Sequence, residues 1–122
     1  MVGGIYASIL PEHIYKNTGI MPYVGCINEV DECKPDYTLY PRYFYNETSH
    51  IFTSRGCPRK CSFCGTRLFE PNLRLIKNWK YHLLPGGKYV IVHDNNILAQ
   101  EEEHIFDVLN FFKDNKIKFM LL

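Results

Sequence analysis

Three cysteines placed close together are the residues whose types and spacing point most clearly to chemistry. Cys57, Cys61 and Cys64 have a C-x3-C-x2-C spacing. Such crowding is typical of metal ligation and unusual in a secreted disulfide framework. Three thiolates on one short loop can hold three corners of a cubane iron-sulfur cluster and leave the fourth iron without a protein ligand. That free iron would allow a substrate to bind the metal directly.

The segment before the cysteines and the segment after them must position this cluster. Residues 51–54 form a β-type run that ends in Arg55-Gly56, so the cysteines are predicted to lie on a loop at the carboxyl end of a strand. Beyond the loop, apolar residues recur at helical spacing and predict a helix that ends at Pro85-Gly86-Gly87. These apolar residues are Leu75, Ile76, Trp79 and Leu83, with Trp79 expected in the core.

The remainder of the chain continues the alternation of strands and helices. Residues 88–93 predict a strand that breaks at Asp94-Asn95-Asn96, and residues 117–122 predict another. Between them an amphipathic helix is predicted by four apolar residues at i, i+3, i+4 and i+7: Ile105, Val108, Leu109 and Phe112. This order favours right-handed crossovers and a parallel sheet. The predicted fold class is therefore α/β.

The number of strands limits how much of a barrel this chain can form. Three strands cannot close, and a complete eight-fold barrel takes about 250 residues. We therefore expect a partial parallel (β/α) barrel with only its amino-terminal strands, and a chain of 122 residues that is a piece of a larger design. Before the partial barrel, Gly3-Gly4 predicts a turn followed by a short helix, and residues 23–25 predict a short strand. Residues 34–49 predict a linker whose tyrosines pack on a neighbouring surface.

Composition restricts the class of protein. With 46% hydrophobic and 22% charged residues, the chain can bury a core and lacks the signature of disorder. A net charge of +1 provides no overall field that would draw it to a nucleic acid or a membrane. The odd number of five cysteines and the absence of a signal-peptide pattern predict a reducing, cytoplasmic setting and no membrane partner.

The cysteine spacing, with Phe63 before the last cysteine and T-S-R-G before the first, resembles the radical S-adenosylmethionine superfamily. The resemblance implies a 4Fe-4S cluster and S-adenosylmethionine as cofactors. In that family the free iron binds the amino and carboxylate groups of S-adenosylmethionine, and an electron from the cluster cleaves the sulfonium to a 5′-deoxyadenosyl radical. An external electron donor and a substrate, here unidentified, are the implied partners.

Residue by residue, the resemblance makes Cys57, Cys61 and Cys64 the cluster ligands and places Phe63 near the adenine. The Gly-Gly-Glu-like segment with which the family holds the amino group of the cosubstrate is replaced by Asp94-Asn95-Asn96, so Asp94 is the implied acceptor. This D-N-N segment is similar to that of the branch with an amino-terminal cobalamin-binding domain.

The same branch suggests a division of the chain. Residues 1–49 resemble the tail of a cobalamin-binding-like, Rossmann-like domain plus a linker, and residues 50–122 resemble the amino-terminal part of a radical S-adenosylmethionine core domain. The cobalamin signature D-x-H-x-x-G is absent, so cobalamin as a cofactor has no support from a lower axial ligand.

A zinc site is the alternative interpretation of the three cysteines. His50, Cys26, Cys33 or a more distant histidine could complete it, giving a small zinc-stabilised module that binds nucleic acid through a basic face. Against it, no second close pair of ligands is visible. The basic face would consist of seven residues: Arg55, Arg59, Lys60, Arg67, Arg74, Lys77 and Lys80. Such cations are equally explained by an anionic cluster and a carboxylate-bearing cosubstrate.

The remaining cysteines and histidines are expected to be structural. Cys26 and Cys33 are interpreted as small buried hydrophobic residues. His93 is interpreted as a packed residue. The other histidines on predicted helices, His13, His82 and His104, are interpreted as surface or boundary residues.

Overall fold

The computed structural model describes residues 1–39 and 47–122. Its helices are α1 (Ile5–Ile9), α2 (Pro11–Thr18), α3 (Asn28–Asp31), α4 (Thr66–Phe69) and α5 (Glu102–Asp114), with 3-10 turns at Tyr37–Leu39, Trp79–His82 and Ile97–Ala99. Its strands are β1 (Thr48–Ile51), β2 (Ser54–Arg55), β3 (Arg74–Leu75), β4 (Tyr89–Val92) and β5 (Lys118–Leu121). No helix in the described ranges is long and apolar enough to cross a bilayer.

Three strands form a parallel sheet in the order β1-β4-β5. Ile51 is opposite Val92, and Val92 is opposite Leu121, so the carboxyl ends of the three strands meet at one edge. Strands β2 and β3 form a separate antiparallel pair. The α/β class and the parallel sheet are therefore confirmed, and over the described residues the parallel sheet remains open with three strands.

The core lies between one face of this sheet and α5. Val108 and Phe112 on α5 are fully buried, and the core residues they join are Ile51, Ile76, Trp79, Val90, Val92 and Ile97. Burying a phenylalanine or valine side chain contributes about 1.5–3 kcal/mol, so the apolar stripe accounts for the docking of α5. The predicted amphipathic helix and the core position of Trp79 are confirmed. Glu102 and Glu103 lie in the first turn of α5, where negative charge interacts favourably with the helix dipole.

The long helix predicted from Leu75 to Leu83 is wrong. Leu75 belongs to β3, where it pairs with Ser54, and the backbone N–H of Ile76 donates to the carbonyl of Thr53 at 2.9 Å. Only a 3-10 turn, Trp79–His82, follows. The apolar spacing correctly indicates that Ile76 and Trp79 are buried. However, backbone N–H and C=O groups that pair between strands cannot also form the hydrogen bonds of a helix.

The short helix predicted after Gly3-Gly4 is confirmed, because α1 begins at Ile5. The strand predicted at residues 23–25 is wrong. Tyr23 N–H donates to the carbonyl of Val2 at 2.8 Å, and Gly25 has a positive φ of 93° that interrupts extended backbone. In the predicted linker, Tyr37 is half-buried, and its hydroxyl donates to the carbonyl of His82. Tyr40, Tyr43 and Tyr45 lie outside the described residues.

Candidate metal centre

The cysteine loop, residues 57–64, begins two residues after β2 ends. Cys57 and Cys61 are half-buried, Cys64 is exposed, and all three thiols are free. Cys64 N–H donates to the carbonyl of Cys61 at 3.2 Å, which closes a turn between the last two cysteines. The prediction that the cysteines lie on a loop beyond a strand is confirmed.

The three thiols do not form a ready-made ligand set in this conformation. Over residues 1–39 and 47–122, no three His, Cys, Asp or Glu side chains are grouped closely enough to hold a metal ion. Cys57 Sγ instead accepts a hydrogen bond from the amide of Asn96 at 3.7 Å, and Cys64 Sγ lies 3.3 Å from the hydroxyl oxygen of Thr66. Hydrogen bonding by Thr66 lowers the pKa of the Cys64 thiol. Three thiols on one loop are nonetheless donors of the kind that an iron-sulfur cluster takes.

Two glycines flank this loop. Gly56 has a φ of 83°, and a Cβ there would lie 2.1 Å from the carbonyl oxygen of Asn72. At Gly65 a Cβ would lie 2.7 Å from the end of the Ile9 side chain of α1, which can move aside. Because the contact at Gly56 is with backbone, no side chain fits there, and the loop begins in close contact with the segment at Asn72.

Asp94, at the carboxyl end of β4, is 3% exposed. Its Oδ1 accepts from the backbone N–H of Thr53, and its Oδ2 accepts from the hydroxyls of Thr53 and Ser54, at 2.5–2.6 Å. The carboxylate therefore joins the ends of β4 and β1 just ahead of the cysteine loop. Its assignment to the amino group of a cosubstrate stays a prediction.

Phe63, the residue assigned to the adenine, lies at the tip of the cysteine loop. Its side chain is 91% exposed. It therefore does not pack into the body of the protein in this conformation, and the assignment to adenine stays a prediction.

Glu70, just beyond α4, is a functional candidate that sequence reasoning missed. This carboxylate is 7% exposed and accepts from the Cys26 thiol at 2.6 Å, the Arg55 guanidinium at 3.2 Å and the Gly56 N–H at 3.3 Å. The amide of Asn95 also donates to it. Glu70 thus connects the start of the cysteine loop to the loop after β4. Burial, together with this carboxylate, raises the pKa of Cys26 to about 11.

Arg55 is held by two carboxylates. Its guanidinium donates to Asp31 at 2.7 Å and to Glu70 at 3.2 Å, and it lies 3.6 Å from the centre of the Phe52 ring. Arg74 also pairs with Asp31. Burial alone would raise the pKa of Asp31, but the two guanidinium groups outweigh it and hold that pKa below its usual value.

These ion pairs reduce the basic face on which the nucleic-acid interpretation depends. Of its seven cations, Arg55 and Arg74 are paired with buried carboxylates, and Lys80 lies 3.1 Å from Asp107. A cation already neutralised by a protein carboxylate contributes little to phosphate binding.

A cavity of about 500 Å³ lies beside the start and the end of the cysteine loop. Its lining includes Ile5 and Ile9 of α1, Gly65 and Thr66 after the cysteines, and Arg55 and His93 at the strand ends. Its walls combine apolar and charged groups, as ligand-binding cavities usually do.

The expectations for the other histidines and cysteines are met only in part. His93 is half-buried, stacks on His50 and contacts the tilted ring of Phe52, so its interpretation as a packed residue is confirmed. His82 is buried and Cys33 is exposed, so the surface or boundary position expected for His82 and the burial expected for Cys33 are wrong.

Comparison with known proteins adds no assignment, because no family model, curated protein or solved structure matches this chain.

Proposed function

We propose that this chain is an iron-sulfur protein of the radical S-adenosylmethionine type, with Cys57, Cys61 and Cys64 as ligands of a 4Fe-4S cluster. The observation that supports the proposal is the C-x3-C-x2-C loop at the carboxyl-end edge of a parallel sheet. In open and closed parallel α/β folds, ligands bind at this edge. The same sheet supports a partial (β/α) barrel as the architecture.

The contacts of the loop agree with a site at this edge. Asn96 after β4 contacts Cys57, and Asn95 contacts Glu70, so the loops that follow two neighbouring strands meet. The adjoining cavity provides space for a cosubstrate of nucleoside size. Separate loops that converge beside one cavity are the usual construction of an active site in such folds.

The cluster, when bound, would supply an electron that cleaves S-adenosylmethionine to a 5′-deoxyadenosyl radical. The residues of the protein would bind the cluster and orient S-adenosylmethionine beside it. Three thiolates would occupy three irons and leave one accessible. Phe63 is exposed and free to cover an adenine, whereas Asp94 is 3% exposed and would have to become accessible before its carboxylate could hold an ammonium group.

The implied partners are an external electron donor and a substrate whose identity no residue here specifies. Free thiols on an accessible loop suit a reducing compartment, which supports a cytoplasmic location. The zinc-stabilised nucleic-acid module has less support, because three of the seven cations on its basic face are already paired.

Anaerobic reconstitution with iron and sulfide tests the proposal. We expect a brown protein with about four irons and four sulfides per chain, which is the stoichiometry of a cubane. Cys57→Ser, Cys61→Ser and Cys64→Ser should each lose most of this iron, whereas Cys33→Ser, which changes an exposed thiol outside the loop, should retain it.

The contradicting result is equally measurable. A colourless protein that holds neither iron nor acid-labile sulfide after reconstitution, and instead retains one tightly bound zinc, would overturn the assignment. Binding of S-adenosylmethionine to the reconstituted protein, followed by the change it causes in the electron paramagnetic resonance spectrum of the reduced cluster, tests the cosubstrate separately.

A further inference from the structure

Two histidines face each other on the sheet, and one of them, His93, also lines the cavity beside the cysteine loop. His50 lies in β1 and His93 directly follows β4, and His50 Nδ1 is 2.8 Å from His93 Nε2. The rings lie nearly parallel, with 5.1 Å between their centres and 26° between their planes. At least one of the two facing nitrogens must carry an unprotonated lone pair for this contact to form.

The backbone holds both histidines in place. β1 and β4 are paired in parallel, and the ladder continues beyond β4 because His93 N–H donates to the carbonyl of Ile51 at 2.8 Å. His50 is exposed, while its neighbours Ser49 and Ile51 are buried, so it lies on the sheet face opposite the core. Ligands carried by paired strands keep their separation better than ligands carried by loops.

The spacing matches what a metal ion requires of two imidazoles. Imidazole nitrogens bind first-row metals at about 2.0–2.1 Å, so two of them on one ion lie about 2.8–3.4 Å apart, from square-planar to tetrahedral angles. The facing nitrogens of His50 and His93 already lie at the short end of this range. To bind one ion, both rings must turn so that their lone pairs converge on a common point and no longer face each other.

We propose that His50 Nδ1 and His93 Nε2 form a binding site for a divalent transition-metal ion that takes no ligand from the cysteine loop. Each neutral ring would carry its proton on its other nitrogen, so binding needs no net change in charge on the protein. Within the described residues no third His, Cys, Asp or Glu joins the pair, so water completes the coordination and the ion remains exchangeable. Borderline ions with a preference for imidazole, Zn²⁺, Ni²⁺ and Cu²⁺, are the class that fits.

Titration with Zn²⁺, followed by the ring-nitrogen resonances of the histidines, tests this site. We expect the His50 and His93 resonances to shift together and to saturate at one equivalent per site. The measurement is residue-specific, so it can be made on the unmodified chain. It can also be made on a full-length Cys57→Ser, Cys61→Ser, Cys64→Ser variant, in which the loop thiols no longer compete for zinc.

Affinities measured by calorimetry on that variant complete the test. His50→Gln and His93→Gln should each weaken Zn²⁺ binding at least tenfold, whereas His13→Gln, on exposed α2, should leave it unchanged. Rings that do not shift, or that shift at different zinc concentrations, would overturn the proposal, as would substitutions that leave the affinity within twofold. Because no cysteine takes part, failure of iron-sulfur reconstitution would leave these results unaffected.

Discussion

Both carboxylate oxygens of Asp94 accept hydrogen bonds from Thr53, one from its backbone N–H and one from its hydroxyl, each at 2.6 Å. The two residues are the points at which the chain leaves two neighbouring strands of the sheet. Their connection fixes the direction in which the segment toward the cysteines departs. Asp94 therefore has a structural role, whatever else it binds.

Removing this carboxylate should destabilise the fold. Asp94→Ala would leave the buried N–H of Thr53 and two hydroxyls without their acceptor, and an unmatched buried polar group costs about 1–3 kcal/mol. We expect the free energy of unfolding in urea to fall by about 2–4 kcal/mol. Asp114→Ala, at the exposed end of α5, is the matched control and should change it by less than about 0.5 kcal/mol. Equal stability of the two variants would contradict the role assigned to Asp94.

A side chain at Gly56 should be poorly tolerated. Gly56→Ala combines a positive φ with a Cβ 2.1 Å from a backbone oxygen, so we expect a loss of about 3 kcal/mol or more. Gly86→Ala is the control because its φ of 75° is similar but open space surrounds it, and it should lose only about 1–2 kcal/mol. Thermal unfolding compares the two, and equal losses would show that the contact with Asn72 is unimportant.

The ion pairs of Asp31 should make stability depend on pH. The pKa of Asp31 is lowered in the folded state, so its contribution is present above the unfolded value of about 3.9 and is lost as the pH falls through the folded value. Asp31→Asn should cost about 2–3 kcal/mol at pH 7, and the difference from the unsubstituted chain should shrink below about pH 4. Urea unfolding of both proteins at several pH values between about 2.5 and 7 measures this difference. A difference that stays constant with pH would show that the charge of Asp31 is unimportant.

Of the two thiols outside the cysteine loop, Cys26 should be less reactive than Cys33. With a pKa of about 11 in place of the ordinary 9.0, its thiolate fraction at pH 8 is about 100-fold smaller. Alkylation by iodoacetamide, followed by mass spectrometry, should therefore modify Cys26 far more slowly than the exposed Cys33. Glu70→Gln removes the negative charge beside the thiol and should accelerate alkylation of Cys26 but not of Cys33. Unchanged relative rates would show that Glu70 does not control this thiol.

Regular elements were predictable where one periodicity dominates. The stripe of Val108 and Phe112 identifies α5, and the β-branched run at β4 identifies a buried strand. The region from Leu75 to Trp79 could not be predicted from spacing alone. There the burial pattern suits a helix, but the pairing of β3 with β2 depends on residues some twenty positions earlier in the chain.

The sequence predicts the position of the cysteines on a loop beyond a strand, but not the hydrogen bonds and ion pairs that surround this loop. The spacing of the cysteines indicates a ligand set, but nothing local indicates that Glu70 turns inward to Arg55 and Cys26. The one available signal was a single acidic residue among seven basic ones, which suggests a paired carboxylate. The contact of His50 with His93 requires the register of β1 on β4, which only the folded sheet provides.

The close approach of Gly56 to the backbone of Asn72 has a thermodynamic consequence. Bringing the ends of a flexible segment together costs entropy, and part of this cost is met during folding, when the first end of the cysteine loop packs against Asn72. Convergence of the three thiols then requires ordering of only the residues between them. The affinity for a ligand in this loop consequently depends more on the strength of the bonds to the ligand than on the conformational entropy of closing the loop.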